Sequence, residues 1–339
     1  MKKSLLALSI LGAFAGVAQA QTNVTMYGVV DAGLVRADNG QQKVTKLDSG
    51  IYSGSRLGFK GTEDLGGGLQ ALFVLETGIN VDSGGFAQGG TAFGRQTYVG
   101  LGGSFGTVKL GRQQSFLYDA QVAVDPFGIG LAGDSTKFFA PQPTSQLRQN
   151  NTAKYESPNI SGFQFGYSHS FGEVVGAASN GADNAFSAKY TNGPIFLNAI
   201  YDQSNSSPAV IGVPNQKTKV TNLGGTYDFG VAKAHVMFDR TKTDAGGNAR
   251  DVLVGATVPF GASNFLVDYI KHTDKTTNNS DAKQYAIGYT YSMSKRTTLY
   301  TSYSRVTNDS AAAFGGISGI SAVAGQSFKN FDVGVRHTF

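Results

Sequence analysis

The chain has no cysteine and no tryptophan, and only 15% of its 339 residues are charged, against roughly 25% in ordinary soluble domains. Without cysteine there are no disulfides, no thiolate metal sites and no cysteine nucleophiles. The four histidines, His169, His235, His272 and His337, are scattered without metal-ligand spacing. Long hydrophobic runs are missing as well. A transmembrane helix needs about 20 mostly apolar residues. The nearest uncharged stretch, residues 310–328, is mostly alanine, glycine and serine, with Phe314, Ile317, Ile320 and Val323 spread through it. It reads as a loop, and a chain of this kind crosses a membrane only as a closed barrel. A basic stripe is also absent. The formal charge is +5 (28 − 23), falling to +3 (26 − 23) once Lys2 and Lys3 are set aside. Dispersed charge of this size gives no nucleic-acid footprint.

Glycine is abundant, at 46 residues, roughly twice the usual share of about 7%. Aromatics make up 11%, too many for a disordered chain. Residues 1–20 have the form of an export signal. Lys2 and Lys3 precede an apolar stretch over residues 5–17, and Ala18-Gln19-Ala20 supplies the small residues a signal peptidase reads. Cleavage is expected between Ala20 and Gln21, leaving residues 21–339 as one domain.

The dominant period in that domain is two. Phe163, Phe165, Tyr167 and Phe171 alternate with Gln164, Gly166, Ser168 and Ser170. Tyr285, Ile287, Tyr289 and Tyr291 alternate with Gln284, Ala286, Gly288 and Thr290, and Phe331, Val333 and Val335 with Asp332, Gly334 and Arg336. Side chains on a strand point alternately to its two faces. The polar phase is rich in glycine, serine, threonine and glutamine, which suits a confined wet lumen. The apolar phase carries tyrosine and phenylalanine near strand ends, as interfacial girdles do. Short connections (64–68, 102–106, 158–162, 192–194, 259–263, 292–295) alternate with long polar ones (39–49, 82–90, 172–184, 204–217, 242–250, 273–281, 308–327). That is the short-turn, long-loop asymmetry of an outer-membrane barrel. The expected fold is an all-β, sixteen-stranded antiparallel transmembrane β-barrel with short periplasmic turns and long extracellular loops. Sixteen strands leave an aqueous channel, whereas eight are filled by side chains.

One connection is abnormal. Residues 114–150 do not alternate and contain Asp119, Asp125 and Asp134 with Phe116, Leu117, Val122, Phe127 and Phe138. Loops this long are usually functional or disordered, and this one is aromatic. The reading is a third loop folded inward, its apolar residues on the wall and its acids toward the channel. Arg56 and Glu76 lie on the lumen phase of their strands, and Arg148 stands where the long segment returns to a strand. Arg95 is in phase with Thr97, Val99 and Leu101, so it needs a bulge to face water. Arg112, following Val108 and Leu110, has the same difficulty.

The stretches VTMYGVVDAGL, GSRLGFKGTEDLGGGLQALFVLE, GRQTYVGLGGSFGTVKLGRQ, RQNNTAKYESPNISGF and VGVRHTF run in order along the chain. With them the sequence resembles the general porins of β-proteobacteria, of the Neisseria, Bordetella, Burkholderia and Comamonas type. The resemblance implies a homotrimer, each barrel with its own channel narrowed by the loop within 114–150. It implies constriction residues at Arg56, Glu76, Arg95 and Arg148, with an acid on the loop, Asp119 or Asp125. The alternating last strand ending in Phe339 resembles the signal read by the barrel assembly machinery. The implied partners are the lipid bilayer, lipopolysaccharide, and small hydrophilic solutes and ions, with no cofactor.

Two motifs are discounted. G-x-S-x-G at residues 102–106 is followed by a strand, where a nucleophile elbow needs a helix. G-x-G-x-x-G at residues 128–133 lacks the strand before and helix after that dinucleotide binding requires. The expected function is an outer-membrane diffusion channel with weak anion preference, not an enzyme. The alternatives are an adhesive or binding barrel acting through its loops, or a barrel enzyme.

Overall fold

The structure, a computed structural model, describes residues 23–139, 147–206 and 215–339. The expected export signal, with Ala20 and Gln21, lies outside the described residues. Seventeen strands follow in chain order: β1 (Asn23–Asp38), β2 (Lys43–Ser49), β3 (Arg56–Gly66), β4 (Leu69–Gly78), β5 (Gln96–Gly103), β6 (Gly106–Gln114), β7 (Arg148–Glu156), β8 (Phe163–Ser170) and β9 (Asp183–Asn192). They continue as β10 (Ile195–Asn205), β11 (Lys217–Asp228), β12 (Lys233–Thr243), β13 (Asn248–Phe260), β14 (Ser263–Asp274), β15 (Ala282–Ser292), β16 (Thr297–Asn308) and β17 (Phe328–Thr338).

Apart from β2 and β3, which both pair with β1, each strand pairs antiparallel with the next, and β17 closes on β1 from Val29↔Thr338 to Asp38↔Lys329. β2 and β3 are two halves of one barrel strand. β1 pairs with β2 over Ala32–Asp38 and with β3 over Asn23–Val29. Counting that pair once, the seventeen strands make a closed barrel of sixteen. Closure leaves the barrel without a free sheet edge across the hydrocarbon, which offers no water to an unpaired N–H or C=O.

The period-two faces fall as the register requires. Tyr285, Ile287, Phe331 and Val333 are exposed on the outer side, while Gln284, Ala286, Asn330 and Asp332 are buried on the inner. Seven short turns close one end, including one at 229–232 absent from the six anticipated. Two expected loops are shorter than read. Residues 43–49 form β2 and are not loop, and the 242–250 connection shrinks to 244–247 because β12 and β13 extend to meet.

The interior apolar residues are those of loops pressed on the wall and the inward strand residues they meet, such as Met237, Leu253 and Ile270. The segment between β6 and β7 enters the lumen as two helices, α1 (Phe116–Val124) and α2 (Thr136–Phe139). Phe116, Leu117 and Ala120 of α1 pack on Ala185, Ile200 and Val220 of the wall. Phe138 of α2 stacks on Phe314, ring centroids 5.2 Å apart. The loop over 309–327 therefore folds into the mouth and does not trail in solvent.

Candidate pore constriction

The wall side of the narrow region is built where β3, β4, β5 and β7 begin or end. Arg56 opens β3; its Nε donates to the Gly54 carbonyl at 2.8 Å and a terminal nitrogen donates to the Ser53 hydroxyl. Glu76 sits on β4 opposite Gly58. Arg95 lies one residue before β5, whose first residue Gln96 pairs with Glu76. It is thus free of the strand alternation and needs no bulge to reach the lumen. Its Nε donates to Glu76 Oε1 at 2.8 Å, and both side chains are 4% exposed. The Tyr27 hydroxyl donates to the other Glu76 oxygen at 3.0 Å. Gly54 makes room for the pair, since a Cβ there would stand 2.8 Å from the Arg95 guanidinium.

Arg148 opens β7 with its guanidinium 5.1 Å from the ring centre of Tyr118 on α1. The field of Arg95 reaches both Arg56 and Arg148, and that of Arg336 reaches Arg56. Arg336, on β17, lies over the Tyr52 ring at 4.9 Å. Four arginines thus share one region in which Glu76 is the bonded acid. Arg112 stays on the phase of Val108 and Leu110, with Thr97 as its partner. It donates to the Gly94 carbonyl at 2.8 Å and to Asn150 Oδ1 at 2.5 Å, at the loop end of β6.

The two loop acids part company. Asp119 accepts from Lys154 at 2.9 Å and borders a polar cavity of about 540 Å³ with Arg56, Tyr98, Lys109 and Tyr118. Asp125 does not face the channel. Its carboxylate turns into the loop and accepts the N–H groups of Phe127 (2.7 Å), Ile129 (3.1 Å) and Ser135 (3.0 Å). The reason is local: past the end of α1 the chain doubles back, and one carboxylate satisfies three donors that would otherwise be orphaned.

Burial, with the Asp134 charge adding to it, pushes the Asp125 carboxyl up to about 6, against the lowering bonds from Ser135 and Phe127. Between its ordinary 3.8 and about 6 the native protein holds a proton that the unfolded chain has lost. Loop seating should therefore strengthen as pH falls from 7 through this window. The check is amide exchange over residues 125–135, corrected for intrinsic rates. Protection is expected to be higher at pH 5 than at pH 7.5, and Asp125→Asn should flatten the difference.

Further along, the loop is held to the wall where the Ala132 N–H donates to Ser302 Oγ (2.8 Å) and Gln284 Nε2 donates to the Gly133 carbonyl (2.9 Å). Gly288 lets it lie flat, because a Cβ there would stand 2.8 Å from the Phe127 ring. Gly288→Val should cost about 1–3 kcal/mol in overpacking and lift the loop into the lumen. The expected reading is a smaller single-channel conductance; an unchanged step size would mean that the loop does not set the width.

Lys109, Lys154, Lys189, Tyr98 and Arg336 were not among the expected site residues. The first four border the lumen cavity. Phase could have found the cations: Lys109 alternates against Val108 and Leu110, Lys154 against Ala153 and Tyr155, and Arg336 against Val335 and His337.

A closed sixteen-stranded barrel with a loop folded into its lumen, facing a cluster of arginines, defines a porin-type channel of the Gram-negative outer membrane. The chain belongs to the Gram-negative porin family, whose model matches residues 7–311. It is 34% identical to an outer membrane porin protein of Bordetella pertussis, over 88% of this chain and 93% of that one. It is 35% identical to outer membrane porin protein 32 of Delftia acidovorans over the whole of both. Among solved structures it is similar to the anion-selective porin from Comamonas acidovorans, with a TM-score of 0.84 and 31% identity, covering 94% of this chain and all of that one.

Proposed function

We propose that the channel passes small hydrophilic solutes and ions by diffusion, with a weak preference for anions set at the constriction. The observation that carries the preference is the arginine cluster of Arg56, Arg95, Arg148 and Arg336, in which Glu76 neutralises one charge at 2.8 Å. The anion-selective porin from Comamonas acidovorans is similar over nearly the whole chain and supports the same reading. The constriction residues are then Arg56, Glu76, Arg95 and Arg148 on the wall, joined by Arg336, with Asp119 on the loop. Asp125 holds the loop's shape.

The working form is read as a homotrimer. In support, the outer faces of β3, β5 and β6 present Phe59, Val99, Leu101 and Leu110 as an exposed apolar surface suited to packing against another copy. Phe339 lies in backbone contact with Gly28, its N–H donating to the Gly28 carbonyl at 3.1 Å. That position at the closing seam suits a signal read by the assembly machinery.

The test is a planar-bilayer recording under a salt gradient. Discrete conductance steps with a reversal potential on the anion side are expected. A clear cation preference overturns the reading of the arginine cluster, and an absence of steps overturns the channel itself.

A further inference from the structure

The wall strand that carries Arg56 is broken, and residues 50–55 fill the break between β2 and β3. Along β1 the register passes from Ala32↔Ser49 to Val29↔Arg56. Six residues, 50–55, therefore stand opposite two, Val30 and Asp31. Gly50, with φ at 69°, turns the chain out of the ladder. The surplus folds inward as a short arch, where Ile51 and Tyr52 pack on Phe127, Leu131 and Tyr300.

That arch touches both halves of the narrow region. On the loop side, the Leu131 N–H donates to the Ile51 carbonyl at 2.6 Å. Gly130 lies so close to the Tyr52 carbonyl that no Cβ would fit. On the arginine side, the Gly54 carbonyl and the Ser53 hydroxyl accept from Arg56. Gly54 leaves the space that Arg95 fills, and the Tyr52 ring lies under Arg336 at 4.9 Å. One short stretch thus meets the inward loop and three of the clustered arginines.

Asp31 holds the arch from behind, and it is 0% exposed. Its Oδ2 accepts the N–H groups of Tyr52 (3.1 Å) and Ser53 (2.8 Å), and its Oδ1 accepts the Tyr300 hydroxyl at 2.7 Å. Its backbone clamps the two feet of the arch. The Asp31 carbonyl accepts the Gly50 N–H at 2.8 Å and the Ser55 hydroxyl at 3.0 Å, while its N–H donates to Ser55 Oγ at 3.0 Å. Among the described residues no ion pair includes Asp31. A buried carboxylate without a cation is costly unless hydrogen bonds replace its water, and bonds to a charged acceptor are roughly twice as strong as neutral ones. An apolar residue here would avoid that cost but leave two amides of the arch without their acceptor. Ions in the channel do not reach the Asp31 side chain, so its effect on them runs through the arch.

We propose that Asp31 is a positioning residue for ion selection: through the arch it fixes, together, the seat of the inward loop and the placement of Arg56, Arg95 and Arg336. The inference rests on the anion-preferring constriction proposed above. The sign of the effect separates positioning from a direct electrostatic role. Removing a negative charge beside the arginines would by itself raise anion preference. Loosening the arch lets the arginines spread and the loop shift, so anion preference falls and the width fluctuates.

The experiment records single channels of the full protein in a planar bilayer under a salt gradient, parent beside Asp31→Asn. The anion-to-cation permeability ratio is expected to fall toward one. The share of open time spent in conductance sublevels should rise at least about tenfold, the consequence of losing a bond to a charged acceptor. A residue that only stabilised the barrel would lower its urea midpoint and leave the folded channel conducting as the parent does. If Asp31→Asn fails to fold, judged by its heat-modified gel mobility, Tyr300→Phe serves. It removes one donor to Asp31 and should raise the sublevel share about fivefold. Against an anion-preferring parent, a ratio that rises or stays the same overturns the proposal. So does an unchanged sublevel share in the folded variant. A parent without anion preference overturns the reading of the arginine cluster instead, and the sublevel share alone then decides whether Asp31 holds the arch.

Discussion

Glu76→Gln is expected to destabilise the barrel by about 3–5 kcal/mol, the usual consequence of removing one partner from a buried ion pair. The pair is 2.8 Å apart with 4% exposure on each side, so little solvent is at hand to take over when the carboxylate is lost. The loss is compounded locally. Arg56 and Arg148 both lie within the field of Arg95, and Glu76 is the acid bonded among them. The Tyr27 hydroxyl, which donates to Glu76 at 3.0 Å, would have to settle for a neutral acceptor. The measurement is the urea midpoint of the refolded barrel, with Arg95→Gln and the double variant completing a cycle. The double variant should recover a large part of the loss, since no uncompensated charge remains. A single variant within about 1 kcal/mol of the parent would mean that lumen water screens the pair and that Glu76 is not a structural tie.

The barrel was legible because a two-sided wall has to repeat its chemistry every second residue. Where one face touched lipid and the other water, as over Tyr285–Tyr291 or Phe331–Val335, the pattern could not hide. It failed where that contrast disappears. β2 reads KVTKLDS, with a single apolar residue on each phase, Val44 and Leu47, because its inner face meets the folded-in loop and not open lumen. Lys46 Nζ donates to the Ser318 carbonyl at 2.6 Å. The turn at 229–232 escaped because Phe229 and Val231 continue an apolar look through it.

The site was half legible for a related reason. Phase says which side a strand residue faces but nothing about residues outside strands. Arg95 obeys no alternation because it precedes β5. Asp125 looks like Asp119 in sequence, yet three backbone N–H groups claim it. That claim depends on a chain reversal no local pattern announces.

Arg56→Glu combined with Arg148→Glu is expected to turn the channel from anion- to cation-preferring. Each substitution removes a positive charge and adds a negative one, so the local balance moves by four. Both side chains stand at the openings of their strands, β3 and β7. Neither is bonded to Glu76, so the wall pair with Arg95 survives and the change is electrostatic. The size should depend on salt in a way that separates field from sieve. At 0.1 M the Debye length is about 10 Å, so charges on opposite walls both act on an ion in transit; at 1 M it is about 3 Å and an ion near the axis is largely screened. Reversal potentials under a tenfold gradient, bounded at about 59 mV for a monovalent ion, should change sign in the double variant at low salt. Parent and variant should converge toward zero at high salt. A sign that does not move at low salt would place Arg56 and Arg148 away from the narrow point. A difference that persists undiminished at 1 M would mean that selection works by contact binding of the ion and not by the field across the lumen.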